Sequence, residues 1–495
     1  MPDYCAALVI DIGTTNCKVS CYSCNDASVL EARKFPTPKN ESQTGEVDFD
    51  IEALWLALRR VIAELVSSSP YPVTNISIAS FGESGVFVDK KGTLLTPMLA
   101  WYDRRGESYL SSLNEQETAE LYAITGLPPH SNYSAFKMRW LLDKYSLHER
   151  KDICWLHAPE ILLLWLTGER KTEVSLASRT LCLDVTRCTW SRKAAAILGI
   201  PFTVLAPLIT PDEVAGWVTP AIRNELGMSH EVKVTLAGHD HMVGARALQM
   251  QPGDVLNSTG TTEGILLLNT QPTLHSHARR DKLANGCYST GRTFTLFASL
   301  PVGGYAFEWV QKTFRLTDEE TRNALEKAMD NYLQPSWSAD QVPVFIPHLR
   351  GSGSPNKNRH ARGLMYGLTD SLPPETLLES VFIGLVMEFA HCYECFNIPA
   401  GKPVKVIGPA VKNPYWLQLK ADMLQCPVEA IAFDEAVSVG ALLIACPEVE
   451  LPPIKLTARY IPDPNRSAEL KIFQRQWLSF YRFKLQHEGV NTEHP

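Results

Sequence analysis

The sequence predicts an α/β protein made of two similarly built halves with a cleft between them, and three observations carry that expectation. An apolar run, Ala7-Leu8-Val9-Ile10-Asp11, breaks at Gly13-Thr14-Thr15 and resumes at Lys18-Val19-Ser20-Cys21-Tyr22. That is the pattern of a buried strand, a tight turn and a returning antiparallel strand. The same design recurs later, where Val255-Leu256-Asn257-Ser258 and Gly264-Ile265-Leu266-Leu267-Leu268 flank Thr259-Gly260-Thr261-Thr262. A chain of 495 residues is too long for one hydrophobic core, so two large domains, residues 1–245 and 246–495, are expected.

The elements follow in order. Behind the opening hairpin, Ile51, Leu54, Trp55, Leu58, Val61, Ile62 and Leu65 fall at helical spacing, with Asp50 placed to cap the helix and Pro70 and Pro72 to end it. Residues 73–80 and 85–89 read as strands joined through Phe81-Gly82-Glu83-Ser84. Residues 115–189 read as mostly helical, with a break at Gly126-Leu127-Pro128-Pro129. Val232-Lys233-Val234-Thr235-Leu236-Ala237 is a strand that runs into Gly238-His239-Asp240-His241. Near the end, Lys405-Val406-Ile407-Gly408 reads as a strand and turn, residues 413–424 as a helix and residues 428–431 as a strand. Residues 434–443 read as a last core helix, and the segment beyond Pro452 as a crossing loop and an amphipathic helix around Trp477, Phe480 and Tyr481.

Composition narrows the class. Hydrophobic content of 45% and charged content of 20% are those of a globular chain rather than a disordered one. The balance of 47 basic against 54 acidic residues argues against a nucleic-acid partner. No apolar run is expected to reach a membrane span, since Ile161-Leu162-Leu163-Leu164-Trp165-Leu166 ends at Thr167-Gly168. The early core strand leaves no room for a signal peptide. Twelve cysteines scattered along the chain fit reduced thiols in the cytoplasm better than a zinc site.

The turns carry the chemistry. Glycine lets the backbone approach phosphate oxygens and the threonines add donors, although a solvent-exposed hairpin favours the same residues. Asp11 at the strand end can hold a hydrated Mg²⁺. Asp240 follows an apolar strand between two histidines, where a general base, a turn residue and a helix N-cap are all open. A metal site at His239-Asp240-His241 is disfavoured, because adjacent residues offer few ligands and Mg²⁺ prefers oxygen. Glu83 is read as a solvated acid or a ligand, and Trp101 as a core residue or a sugar platform.

Taken together and in order, these segments resemble the FGGY family of carbohydrate kinases. Residues 11–18 look like its first phosphate motif, residues 258–262 like its second, and Gly238-His239-Asp240 like the segment with its catalytic aspartate. Residues 97–105, with Trp101-Tyr102-Asp103-Arg104, look like its substrate-side segment. Residues 134–141 fit its first signature, and residues 165–168 with Ala177-Ser178-Arg179-Thr180 also match. The likeness runs from Asp11 to about Ala445.

The resemblance implies the two-domain actin-like ATPase fold, of the ribonuclease H-like, hexokinase and Hsp70 superfold. It implies ATP and Mg²⁺, phosphoryl transfer to a small sugar, polyol or sugar acid, no nucleic-acid or membrane partner, a cytoplasmic setting, and a homo-oligomer such as a dimer as an option. Asp240 would be the base, and Asp11 would organise Mg²⁺ through water. Thr14, Thr15 and Lys18 would meet the phosphates from one half, and Gly260 and Thr261 from the other. Gly304, Gly408, Ala410 and Asn413 would lie along the nucleotide, and Glu83, Trp101, Asp103, Asp240 and His241 along the sugar.

Two departures stand out. The adenine-side motif reads Gly408-Pro409-Ala410 in place of a glycine triplet, and proline removes a backbone donor. Ile383 stands before Gly384 where an acidic residue is usual, which reads as packing variation. A phosphate hydrolase of the same superfold and a degenerate nucleotide-binding protein are the alternatives, and the Trp101-Tyr102-Asp103-Arg104 segment argues for the kinase.

Overall fold

Among the described residues, two large sheets, one of six strands and one of seven, are wired alike over five strands each. The computed structural model describes residues 4–288, 292–433 and 435–488. In the first sheet Val29–Pro36, Asn16–Ser23 and Ala6–Ile12 run antiparallel in turn. Ala6–Ile12 is then parallel to Val73–Ser80, and that strand to Lys233–His239. In the second sheet Phe294–Leu300, Glu263–Asn269 and Val255–Thr259 repeat the antiparallel part. Val404–Ile407 and Val428–Ile431 repeat the parallel part. The duplication expected from the two hairpins therefore extends to whole sheets.

The unbroken apolar run of the first strand has a physical reason. Side chains alternate across a sheet, and this strand is covered on both faces. Leu8, Ile10 and Ile12 pack with Leu54, Leu58 and Ile62 of the helix Ile51–Ser68. Ala7 and Val9 pack with Ala441, Leu442 and Ala445 of the helix Ala436–Ala445, from the far end of the chain. That helix also crosses Asp240–Ala247 at backbone contact, since a Cβ on Gly440 would lie 1.9 Å from the Val243 carbonyl oxygen. The expected division at 245/246 falls inside this crossing helix. Asp434, expected to open the last core helix, lies outside the described residues.

Three expectations change. Cys154–His157, within the stretch read as helical, is a strand paired with Gly85–Val88. All four of its residues are buried, so it shows no alternation for a sequence reading to find. Leu456–Tyr460, read as a crossing loop, is an edge strand on Val428–Ile431. Pro374–Glu394 is long and apolar enough, by length and composition, to span a membrane, whereas no such run was expected. Here it is a core helix whose Leu378, Phe382, Leu385 and Phe389 are all buried in the second half. All twelve cysteines are free.

One buried ion pair anchors the second hairpin. The Lys420 ammonium donates to Glu263, at the start of the returning strand, and at 2.6 Å to Asn257 Oδ1 on the outgoing strand. It sits 4.4 Å and 4.5 Å from the ring centres of Phe389 and Trp416. Removing one partner strands a buried charge, so Lys420→Met should cost about 3–5 kcal/mol in urea unfolding. Adding Glu263→Leu should recover most of that loss, and a single variant as stable as wild type would contradict the anchoring role.

Candidate active site between the two hairpins

Strand register gathers the first group of residues. Ile12 pairs with Ser80, and Ser80 with His239, across three neighbouring parallel strands. The Gly13-Thr14 turn, the Phe81–Glu83 turn and Asp240 therefore leave the sheet at one carboxyl edge, where α/β sheets bind ligands.

The approach to Asp240 tolerates only glycine at 238. Gly238 has φ 110°, and a Cβ there would lie 2.3 Å from Ser175 Oγ and 2.4 Å from Glu173 Oε2. The Ser175 hydroxyl donates to Glu173 and its oxygen accepts the His239 N–H at 2.9 Å. Asp240 then opens the helix Asp240–Ala247, with Oδ1 accepting the His241 N–H at 2.7 Å. Burial raises the Asp240 carboxyl above the ordinary range and the Glu83 charge adds to this, while His241 and Arg179 oppose it. His239 is held well below its usual pKa, chiefly by burial and then by Arg179, so its ring is neutral.

Glu83 is placed with equal care. Its backbone is left-handed at φ 67°. The Ser134 hydroxyl donates to its carbonyl at 3.0 Å, and Ser134 Oγ lies 3.3 Å from His157 Nε2. His157 is held in turn by Glu160, both fully buried. Arg179 binds Glu83 Oε1 through Nε at 2.8 Å and Nη2 at 2.7 Å. Trp101 Nε1 donates to Thr14 Oγ1 at 3.0 Å, tying the expected sugar platform to the first hairpin.

Asp11 sits in an acidic setting. Burial pushes its carboxyl up to about 7, with the Asp240 and Glu435 carboxylates adding and Lys18 opposing. A divalent cation would relieve that repulsion. Among the described residues no group of three His, Cys, Asp or Glu side chains is arranged to hold a metal directly. The fit is therefore to a Mg²⁺ that keeps its waters, with Asp11 as an outer partner.

Two cavities meet at the second hairpin. The first, about 340 Å³, is lined by Thr14, Glu83, Trp101, Arg179, Asp240 and His241 from one half. Ser258, Thr262, Lys282, Phe297, Ser354 and Lys357 line it from the other half. The second, about 940 Å³, is lined by Thr259, Gly260, Thr261, Gly304, Ala410 and Asn413 among apolar walls such as Phe307, Leu325, Phe382 and Trp416. The bend at 258–262 thus faces one cavity with Ser258 and Thr262 and the other with Thr259, Gly260 and Thr261.

Several expected residues have other placements. Asp103 lies off the walls of both cavities. Its oxygens accept the Val47 and Arg105 amides, each at 2.9 Å, and it pairs with the Arg105 guanidinium. The structure thus gives this carboxylate partners within the protein, away from the cavity expected to take the sugar. Thr15 is exposed at the hairpin tip, and the Lys18 ammonium pairs with Glu435 rather than pointing at either cavity. Gly408 also lies off the walls, and a Cβ there would fall 2.0 Å from the Thr259 carbonyl oxygen. The Ala410 N–H is taken by Thr259 Oγ1 at 3.1 Å, and the Gly304 N–H by the Gly260 carbonyl at 2.8 Å. Asn413 caps the helix Pro414–Leu424 from the cavity wall.

Sequence reasoning assigned no role to Arg179, Lys282, Lys357 or His130. Arg179 stood inside a matched segment, but nothing local reveals its pairing with Glu83, 96 residues away.

Comparison with known proteins identifies the family and the fold. The N-terminal domain model of the FGGY family of carbohydrate kinases matches residues 6–246, and the C-terminal domain model matches residues 255–448. A glycerol kinase of Lactococcus lactis is 26% identical over 455 residues, covering 88% of this chain and 89% of the relative. A gluconokinase of Bacillus subtilis is 24% identical over 456 residues, covering 88% and 86%. In fold, the chain superposes on a ligand-bound xylulose kinase from Lactobacillus acidophilus with TM-score 0.86 at 20% identity, covering 97% and 98%. It superposes on Plasmodium falciparum glycerol kinase with ADP with TM-score 0.86 at 18% identity, covering 97% and 98%.

Two outcomes test the site geometry. Gly238→Ala should lose on the order of 2 kcal/mol in urea unfolding, because an L-residue is strained at that φ. Asp11 keeps its proton in the folded state up to about 7 but loses it near 3.8 when unfolded, so folding stability should fall as pH rises between those values. At pH 8, Asp11→Asn should therefore raise the midpoint of the ligand-free protein. An unchanged midpoint would contradict the acidic crowding.

Proposed function

Because the chain belongs to the FGGY family of carbohydrate kinases, phosphotransferases with an alcohol group as acceptor, we propose that Asp240 is the general base and that ATP bridges the two cavities. The hydrolase alternative falls with that membership. One observation carries the proposal: the hairpin bend 258–262 lines both cavities, one large and mostly apolar, the other small, more polar and holding Asp240. A base stacked in the larger cavity would send its phosphates over Gly260 and Thr261 toward Thr14 and Asp240.

The chemistry then follows from the residues. Phosphoryl transfer depends mainly on positioning and on spreading charge over the phosphate oxygens. The substrate hydroxyl lies against Asp240, whose carboxylate burial makes more basic than a free aspartate. As the hydroxyl oxygen bonds to the γ-phosphorus, the bond from phosphorus to the ADP oxygen breaks and an Asp240 oxygen takes the proton. His239, neutral and within 3.3 Å of Asp240 Oδ1, lines that carboxylate without supplying a competing charge. Backbone N–H groups and hydroxyls of the two bends hold the phosphates. Mg²⁺, held through water by Asp11, would neutralise phosphate charge when bound. Trp101 and the Glu83–Arg179 pair form the wall against which a polyhydroxy ligand rests.

The test is ADP release over a panel of polyols, ketoses and aldonates with a no-substrate control. Asp240→Asn should lower turnover by roughly 10²–10⁴-fold while leaving ATP affinity by calorimetry unchanged. Near-normal turnover would end the base assignment. In the wild type, kcat/KM should fall as pH drops through the raised Asp240 pKa, so the acid limb lies above the ordinary aspartate value of 3.8. Release without any added alcohol would contradict the proposal.

A further inference from the structure

The charges on the small cavity do not balance. Three carboxylates line it, and two already have partners: Glu83 with Arg179, and Glu263 with the buried Lys420. The third, Asp240, is the base of the reading above. Lys282 and Lys357 also line the cavity, and among the described residues neither ammonium makes an ion pair or a hydrogen bond. Both come from the second half of the chain and line the same cavity as Arg179 from the first.

Their placement is built. Lys282 holds a left-handed backbone at φ 58°, which L-residues adopt rarely. The Ser354 hydroxyl, from the loop that carries Lys357, donates to its carbonyl at 3.2 Å. Lys357 feels Arg179 and Lys282 as repelling charges and Glu83 as an attracting one, whereas Asp240 feels His241, Glu83 and Arg179. The Glu83–Arg179 pair is common to both sets, so it lies near both Lys357 and the base. His130, on the same wall, is held neutral by burial and by nearby lysines. Its Nδ1 accepts the Asn132 N–H at 3.2 Å, which leaves Nε2 as a donor.

We propose that the substrate is a small polyhydroxy acid, its carboxylate held by Lys282 and Lys357 at one end of the cavity and a hydroxyl at the other end presented to Asp240. The proposal rests on the kinase reading. Desolvation by the surrounding protein lowers both ammonium groups, and at Lys357 the Arg179 charge and then the Lys282 charge add to it, pushing it down to about 8. Both lysines are solvent-exposed, and an incoming carboxylate gives each a charged partner that a neutral sugar cannot. A cavity of about 340 Å³ is at the small end for a ligand pocket and suits a single short carbon chain.

Calorimetry on the Asp240→Asn protein with ATP absent reads this separately from turnover. A five- or six-carbon aldonate should bind at least about tenfold tighter than the uncharged alditol of equal length, as expected for a charge-assisted hydrogen bond. Lys357→Gln or Lys282→Gln should each weaken aldonate binding roughly tenfold to hundredfold and leave alditol binding unchanged. In turnover, Lys357→Gln in the otherwise wild-type enzyme should raise KM for the acid far more than it changes kcat. An alditol or ketose that binds as tightly as the aldonate overturns the inference, and ADP release with that neutral compound would leave the kinase reading intact. A sugar phosphate that binds more tightly than the aldonate overturns the carboxylate assignment. No ADP release with any carbohydrate removes the kinase reading, and the binding comparison still decides this one.

Discussion

The register of three parallel strands is the constraint on which the site depends. Ile12, Ser80 and His239 lie side by side, and a slip of one residue in any strand would move Asp11, Glu83 or Asp240 to the wrong face. Burial protects that register. The first strand is packed on one face by a helix from the first half and on the other by the helix Ala436–Ala445, so neither face can turn to solvent. Gly238 then carries the chain from strand to helix in a backbone conformation that only glycine holds without a clash against Ser175 and Glu173.

The second half answers with a matching sheet whose hairpin bend forms a partition between two cavities of opposite character. Apolar walls suit the face of a nucleotide base, whereas the polar cavity collects groups that would be costly to bury unless a ligand met them. The same principle explains the deep polar pairs. Lys420 with Glu263, and His157 with Glu160, stand behind the second hairpin and the Glu83 turn respectively, fixing backbone that would otherwise be free to move.

The residues that departed from expectation did so for one kind of reason. Asp103 and Lys18 found partners within the protein, Arg105 and Glu435, and a charge so engaged is less available to a ligand. Gly408 and the Ala410 N–H serve the packing of the adenine-side turn against Thr259, which is compatible with a proline at 409 because Ala410 supplies the donor there.

Both hairpins, the strand before Asp240, the helix capped by Asp50 and the two-sheet α/β class were legible in the sequence. Each is written in a contiguous run whose periodicity or turn chemistry is local. The short strands Cys154–His157 and Leu456–Tyr460 were not, because a fully buried or edge segment of a few residues carries no period of its own. Tertiary structure alone decided which charges remain unmatched in the cleft. Arg179 is neutralised by a residue 96 positions away, and Lys282 and Lys357 become neighbours where the loop holding Ser354 and Lys357 bonds to the Lys282 carbonyl. Local pattern determines where the chain turns, but electrostatic environment depends on distances through space, and those exist only once the core has formed.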